Sequence, residues 1–166
     1  MAHRFLRVVA LAVGAVALTT AASAQPTPCT DGQAGPYACE GFDLLAHVPL
    51  TEFGSGSGND IWGWTDPQTG KEYALMGLRD GTGIVDVTVP GEVLYLGKLP
   101  TATEPSVWRD IKVRENYAFV VSEAPGHGMQ VFDLTRLRDV EDPPQLFSSN
   151  ARYTGAGKAH NLVIDP

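Results

Sequence analysis

Residues 83–87 read GIVDV, and a matching run, QVFDL, stands at residues 130–134, a spacing of 47. Upstream of these runs, YALM at 73–76 is matched by YAFV at 117–120, a spacing of 44. The order of the two motifs is the same in both copies, and the spacings differ only by the lengths of loops. Ordered repetition at a period of about 20–50 residues indicates an architecture built from repeated units.

A further motif opens each unit. An acidic or amide residue followed by a branched aliphatic residue occurs three times, at spacings of 50 and 51. The pairs are Asp60 with Ile61, Asp110 with Ile111, and Asn161 with Leu162. Ordered matches of several motifs are not expected by chance, so the chain from Asn59 onward is interpreted as copies of one unit.

The units have the pattern of β-strands: short runs rich in β-branched and aromatic residues, separated by turn residues. In the first unit the predicted strands are residues 60–64, 71–78, 83–88 and 93–99. In the second they are 108–113, 116–122, 129–134 and, more weakly, 145–148, with a helical turn at 135–140. The sequence therefore predicts an all-β fold.

A recurring unit of four short antiparallel strands is typical of a β-propeller blade. A β-sandwich also has short strands at regular spacing, but it does not predict a recurring four-strand sequence unit. We expect a propeller-like fold with blade 1 at about 59–105, blade 2 at about 106–158 and the first strand of a third blade at 159–166. A propeller closes with roughly 4 to 8 blades, so this propeller would be incomplete. The simplest expectation is the N-terminal piece of a longer protein, and assembly of several chains into a ring is the alternative.

The N-terminus has the pattern of an export signal. Arg4 and Arg7 precede an apolar run at 8–17, and a small-x-small motif ends at Ala24. The run is shorter than the roughly 20 apolar residues that span a bilayer, so residues 1–24 are predicted to be a cleaved signal peptide. No later stretch is apolar enough to cross a membrane. We therefore expect a secreted or cell-surface protein.

The net charge argues against two kinds of anionic partner. The chain has 12 Lys and Arg against 19 Asp and Glu, a net charge of −7. Nucleic acids and anionic membrane surfaces attract basic proteins, so neither is expected as a partner.

Residues 25–58 are predicted to form an N-terminal extension. It contains Cys29 and Cys39, separated by turn residues. Outside the cytoplasm such a pair readily forms a structural disulfide. The alternatives are a redox-active thiol and a metal pair, but a metal site typically has C-x2-C spacing and further Cys or His ligands nearby. The Gly/Ser run at 54–58 is typical of a flexible tether before the repeats.

The repeats carry a family resemblance. The run GIVDVTVPG at 83–91 resembles the LVIVD repeat. The chain from about 26 to 166 is similar to the choice-of-anchor B family, chiefly in the runs at 59–66, 108–113, 126–134 and 159–164. The resemblance implies an exported bacterial protein with a propeller-like repeat domain, held at the cell surface or released. The family differs among its members in the C-terminal anchor, and it brings no established reaction and no catalytic residues.

The motif that opens each unit suggests a ring of polar side chains. Equivalent positions of a propeller lie at equal radius, so Asp60, Asp110 and Asn161 should converge near one end of the channel, with Asn59, Arg109 and His160 as a second set. Converging carboxylate and amide oxygens suit Ca²⁺, the one cofactor that the sequence suggests. The alternative is that each side chain accepts backbone N–H groups at the start of a strand.

Two histidines are candidate bases. His127 stands between Gly126 and Gly128, which indicates a loop that a ligand could approach closely, and His160 precedes Asn161. In each case a solvated or purely structural histidine is the alternative.

Two other sets of residues recur. Asp86 and Asp133 end equivalent strands, which favours a repeated hydrogen bond over catalysis. Trp62, Trp64 and Trp108 could stack on a sugar, but at repeat positions they are more often packed between sheets.

Three functions fit these patterns. The leading hypothesis is a non-enzymatic scaffold that binds an unidentified protein or glycan at the cell surface. The second is an exported metal-dependent hydrolase in which Asp60, Asp110 and Asn161 hold the metal and His127 or His160 is the base. The third is an architectural component of a surface layer.

Overall fold

The computed structural model describes residues 26–165, and these form two sheets, a small hairpin and one short helix. The hairpin consists of β1 (Gln33–Ala34) and β2 (Tyr37–Ala38). The later strands are β3 (Gly58–Thr65), β4 (Glu72–Leu78), β5 (Gly81–Asp86), β6 (Leu94–Pro100), β7 (Arg109–Arg114), β8 (Tyr117–Ser122), β9 (Met129–Asp133), β10 (Gln145–Leu146) and β11 (Ala151–Tyr153). A 3₁₀ helix spans Leu134–Asp139, where the sequence predicted a helical turn. The all-β prediction is confirmed.

The two sheets repeat one plan. In the first, β3, β4, β5 and β6 pair antiparallel in chain order. In the second, β7, β8, β9 and β11 do the same. From β3 to β6 and from β7 to β9, neighbours along the chain are neighbours in space, because turns join antiparallel strands directly. Between β9 and β11 the chain passes through the helix and β10.

The outermost strand of the second sheet differs from the prediction. Residues 145–148 were expected to fill that place, but β10 instead pairs parallel with β6 of the first sheet, and β11 completes the second. The chain can reach β6 because Gly97 has a φ of 140° and no Cβ. A Cβ there would lie 2.0 Å from the carbonyl oxygen of Gln145. The second unit therefore adds a strand to the first.

The main core lies between the sheets. Alternate residues of β4 and β5 point into it from the first sheet, and alternate residues of β7, β8 and β9 meet them from the second. Its buried members include Trp64, Tyr73, Leu75, Ile84, Ile111, Val120, Phe132 and Phe147. Trp64 fills the space between sheets as predicted, and its indole N–H donates to the carbonyl of Glu115 at 3.1 Å. Trp62 and Trp108 stay 39% and 51% exposed.

The extension packs on the other face of the first sheet. Phe53 is buried against Leu78 and Val85 and contacts Tyr95 edge to face. The Gly/Ser run that follows is held as well, since the carbonyl of Ser57 accepts the Arg79 N–H at 3.1 Å and β3 begins at the next residue. These contacts correct the prediction of a flexible tether at 54–58.

The disulfide between Cys29 and Cys39 is confirmed, with its Cα atoms 5.9 Å apart. It closes the β1–β2 hairpin, and Cys29 N–H donates to the Asp43 carboxylate at 2.9 Å. The predicted signal peptide at 1–24 lies outside the described residues. Within residues 26–165, no helix has the length and apolar character needed to cross a membrane.

The last segment departs from the prediction of a strand at 159–166. Residues 159–165 form no strand among the described residues, although Leu162 and Ile164 are half-buried between exposed neighbours. The segment is fixed at both ends: the Ala159 N–H donates to the carbonyl of Ser122, and Arg114 donates to that of Asp165. It thus follows the second sheet without completing a ladder of its own.

Candidate functional site

The residues that open each unit form a repeated contact between consecutive units. The Asp60 carboxylate accepts the Ile111 N–H at 2.8 Å, and the Asp110 carboxylate accepts the Leu162 N–H at 2.7 Å. Each aspartate therefore binds the residue that follows its own equivalent in the next unit. We call this contact the aspartate clip.

The first clip is reinforced by its neighbour. The register of β3 shifts between Gly58 and Ile61, a bulge that turns the two intervening side chains toward β7. Asn59 then donates through its amide to the carbonyl of Arg109 at 2.6 Å. Gly77 on β4 leaves room for the bulge, since a Cβ there would lie 3.1 Å from the Asn59 side-chain oxygen.

The two predicted sets of side chains do come together. They line one cleft of about 180 Å³, formed by Asn59, Asp60, Trp108, Arg109, Asp110, His160 and Asn161. Trp108 stands at its edge with its ring centroid 5.5 Å from that of His160. The side chains that the repeat spacing groups together therefore lie in one cleft.

The cleft does not fit a calcium site. Besides the Leu162 N–H, Asp110 accepts a bond from the Lys112 ammonium at 2.5 Å, so a cation already neutralises it. Burial alone would raise the pKa of Asp110, but the bonds from Lys112 and Leu162 lower it below its usual range. Residues 26–165 contain no group of three or more His, Cys, Asp or Glu side chains that could hold a metal. The clip, and not Ca²⁺, accounts for the position of these oxygens.

His127 is buried, contrary to the open loop that its flanking glycines suggested. Its Nε2 lies 3.1 Å from Arg109 Nη1, and its Nδ1 lies 3.1 Å from the carbonyl oxygen of Gly128. Gly128 has a φ of 65°, and a Cβ there would lie 2.1 Å from the Tyr153 carbonyl oxygen, so the turn is packed against β11. His127 has no exposed surface from which to act as a base.

His160 is the exposed histidine of the cleft. Its Nδ1 lies 2.6 Å from a carboxylate oxygen of Glu123, which orients the ring. The indole of Trp108 is half-exposed beside it. This side of the cleft offers an aromatic face and polar groups to a ligand.

The recurring Asp86 and Asp133 make the predicted repeated hydrogen bond. Asp86 accepts the N–H and hydroxyl of Thr88, and Asp133 accepts those of Thr135. Each carboxylate therefore fixes the turn that ends its strand.

An ion pair that the sequence did not reveal joins the sheets at the opposite end of β4. Arg138, in the helix, donates to both carboxylate oxygens of Asp66, at 2.8 and 2.6 Å. The Arg138 guanidinium holds the pKa of Asp66 well below its usual range. The two residues are 72 positions apart, and neither belongs to a repeated motif, so no sequence pattern connects them.

A second, more apolar groove of about 580 Å³ runs beside β7. Its lining consists of Trp62, residues 112–115 and residues 162–165. The Lys112 ammonium lies 4.4 Å from the centre of the Trp62 ring. The exposed indole faces of the molecule thus lie at this groove and at the cleft.

Comparisons with family models, curated proteins and solved structures give no match to this chain.

Proposed function

We propose that this is an exported, non-enzymatic repeat protein that presents a propeller surface to a protein or glycan ligand at the cell surface. The observation that carries the proposal is the aspartate clip. Asp60 and Asp110, the strongest candidates for metal chemistry, each use a carboxylate oxygen to bind the main chain of the next unit. The other side chains of the cleft, Trp108 and His160 among them, remain accessible to a ligand.

Propeller architecture is supported by the repeated plan of the sheets. Their first strands, β3 and β7, lie side by side, and the chain after β11 continues next to β7. A geometry that places each unit beside the first strand of the next would arrange further units around an axis. The resemblance to the LVIVD repeat and to the choice-of-anchor B family agrees with this arrangement.

Export is supported by the N-terminal pattern at 1–24 and by the disulfide, because structural disulfides persist in oxidising compartments. The net charge of −7 is consistent with a partner other than nucleic acid.

The cleft favours a glycan as the ligand. Trp108 offers a half-exposed aromatic face, and His160, Asn59 and Asn161 supply groups that exchange hydrogen bonds with hydroxyls. Several of these side chains are already held by bonds to the protein, which lowers the entropy lost on binding.

The test screens the full chain against immobilised glycans and measures the affinity of Trp108→Ala for any ligand found. We expect at least a tenfold loss, because the aromatic face is removed. Phe42→Ala is the matched control, since Phe42 is an 82% exposed aromatic residue in the extension. Equal losses in the two variants, or no glycan bound, would refute a glycan ligand at the cleft.

A calcium titration separates the scaffold from the hydrolase. The scaffold predicts no saturable uptake of Ca²⁺ by calorimetry. Tight uptake that disappears in the Asp60→Asn, Asp110→Asn double variant would favour the metal-dependent enzyme, because the amides keep the clip and remove the charge.

A further inference from the structure

Arg109 is a buried cation that spans the two sheets. It belongs to β7, and its Nε donates to the carbonyl of Leu78 at the end of β4, at 3.0 Å. Its Nη1 lies 3.1 Å from Nε2 of His127, on the loop that leads into β9. Both side chains are almost completely buried, at 2% and 0% exposed. Their contact is therefore shielded from solvent.

The geometry fixes the protonation state of His127. A guanidinium only donates, so Nε2 must accept, and Nδ1 then carries the proton and donates to the Gly128 carbonyl. The neutral ring satisfies both of its nitrogens. A second proton would set an N–H against the Arg109 N–H groups and bring two cations to about 3 Å in a dry site.

The Gly128 carbonyl and the Gln130 side chain favour a protonated His127, but burial and the neighbouring charges oppose it more strongly. Arg152 on β11 donates to the backbone carbonyl of His127 at 2.9 Å and is a second cation nearby. Asp80, in the β4–β5 turn, attracts Arg109 but is paired with Lys98 at 2.6 Å. Among the described residues, no carboxylate lies within ion-pair distance of the ring. Burial, followed by the charges of Arg109 and Arg152, lowers the pKa of His127.

We propose that Arg109 and His127 form an acid-sensitive latch between the two sheets. At neutral pH the uncharged ring holds the guanidinium against Leu78. The ring can bind a second proton only after it has separated from Arg109, so mild acid favours the open form, in which Arg109 no longer holds the first sheet and the contact between the units loosens. An exported protein would thereby sense acidification of its surroundings.

The sign of the effect follows from linkage. The pKa of His127 is lower in the folded than in the unfolded state, so the stabilisation is complete above about pH 6.5, the usual pKa of histidine. Below that pH His127 binds a proton in the unfolded chain but not in the folded chain. The unfolding equilibrium constant should then rise up to about tenfold for each unit of pH, until the folded form also binds the proton.

The experiment measures urea unfolding of the full chain between pH 7.5 and 5, above the range in which carboxylates titrate. We expect a loss of stability in the wild type and a nearly flat profile in His127→Gln. The control is His47→Gln, since His47 is an exposed histidine of the N-terminal extension and lies outside the latch; this variant should still lose stability in acid as the wild type does. A flat wild-type profile, or an unchanged slope in His127→Gln, overturns the proposal.

A measurement on the wild type decides the matter even if His127→Gln does not fold. Proton NMR should show that His127 stays neutral to below the usual histidine pKa of about 6.5. Hydrogen exchange shows which contact opens, because the Ile111 N–H donates to Asp60 of the other sheet. Its protection factor should fall in mild acid before that of Val120 within the second sheet. A His127 that binds its proton near pH 6.5, or equal loss of protection at both amides, contradicts the latch.

Discussion

The two units place different residues at the same position, directly before the clip aspartate. In the first unit this residue is Asn59, which sits in a bulge and adds a second bond to the clip. In the second it is Arg109, on a strand whose pairing with β8 is regular, and its side chain turns inward to Leu78 and His127. The repeated residues form both sheets. Arg109, which stands where the first unit has Asn59, connects the second sheet to the first.

The two units also differ in the turn that joins their first two strands. Tyr117 follows Arg114 after a tight turn in which Glu115 has a φ of 53°. The corresponding turn of the first unit is longer and holds Asp66, which receives Arg138 from the second unit. The two arginines thus hold the sheets together at opposite ends of β4, one against a carboxylate and the other against neutral acceptors. The repeated residues determine the strand order of each sheet. The contact between the sheets depends on residues that differ between the units, such as Arg109 and Arg138.

Replacement of Arg109 should have the largest effect. Arg109→Ala leaves the Leu78 carbonyl and His127 Nε2 without a donor and opens a cavity, at a cost of about 3 kcal/mol in the free energy of unfolding. Arg109→Asn, which copies the first unit, should lose nearly as much because the amide is too short to reach Leu78. Urea unfolding at pH 7.5 measures both.

The control for Arg109 is Arg114→Ala on the same strand, where the side chain is exposed and a change within about 0.5 kcal/mol is expected. An Arg109→Asn variant as stable as the wild type would show that the inward arginine does not matter to the contact.

Removal of the charge on Asp66 should give the next largest effect, and one that depends on pH. The pKa of Asp66 is lowered in the folded state, so its contribution is present above the usual aspartate pKa of about 3.9 and is lost as the pH falls below it. Asp66→Asn should therefore be less stable than the wild type at pH 6, and the gap should narrow towards pH 2.5.

Thermal unfolding across this pH range measures the gap, with Glu72→Gln as the control because Glu72 is an exposed carboxylate at the start of β4. Asp80, Asp86 and Asp110 also have lowered pKa values and titrate in both proteins, so the difference between the two proteins isolates Asp66. A gap that stays constant with pH would contradict the ion pair.

How much the sequence could predict depends on whether a feature repeats. Strands β4 and β8 could be predicted because their motifs recur in the same order. The grouping of residues in the cleft could be predicted from the spacing of Asp60 and Asp110. The strand at 145–146 has the local pattern of a strand, but strand propensity does not say which sheet it joins. That choice depends on the close approach to Gly97, a contact across the chain.

Burial explains the other misjudged residues. Glycines on both sides of His127 predict an open turn, yet the same conformation lets the chain pack tightly against β11. The Gly/Ser run at 54–58 reads as a tether because its composition is that of a linker, whereas Phe53 just before it is anchored in the sheet. In both cases a neighbour distant in sequence decides the outcome.

The clip itself gives the smallest expected effect and tests whether its role is a hydrogen bond or a charge. Asp60→Ala leaves the Ile111 N–H without its acceptor and should lower the free energy of unfolding by about 1–2 kcal/mol. Asp60→Asn keeps a side-chain oxygen in place and should lose only a few tenths, on the order of a neutral hydrogen-bond exchange. The natural Asn161 at the equivalent position shows that the repeat admits an amide there. Urea unfolding of both variants makes the comparison, and equal losses would mean that the carboxylate charge, and not the bond to the next unit, is what the repeat preserves.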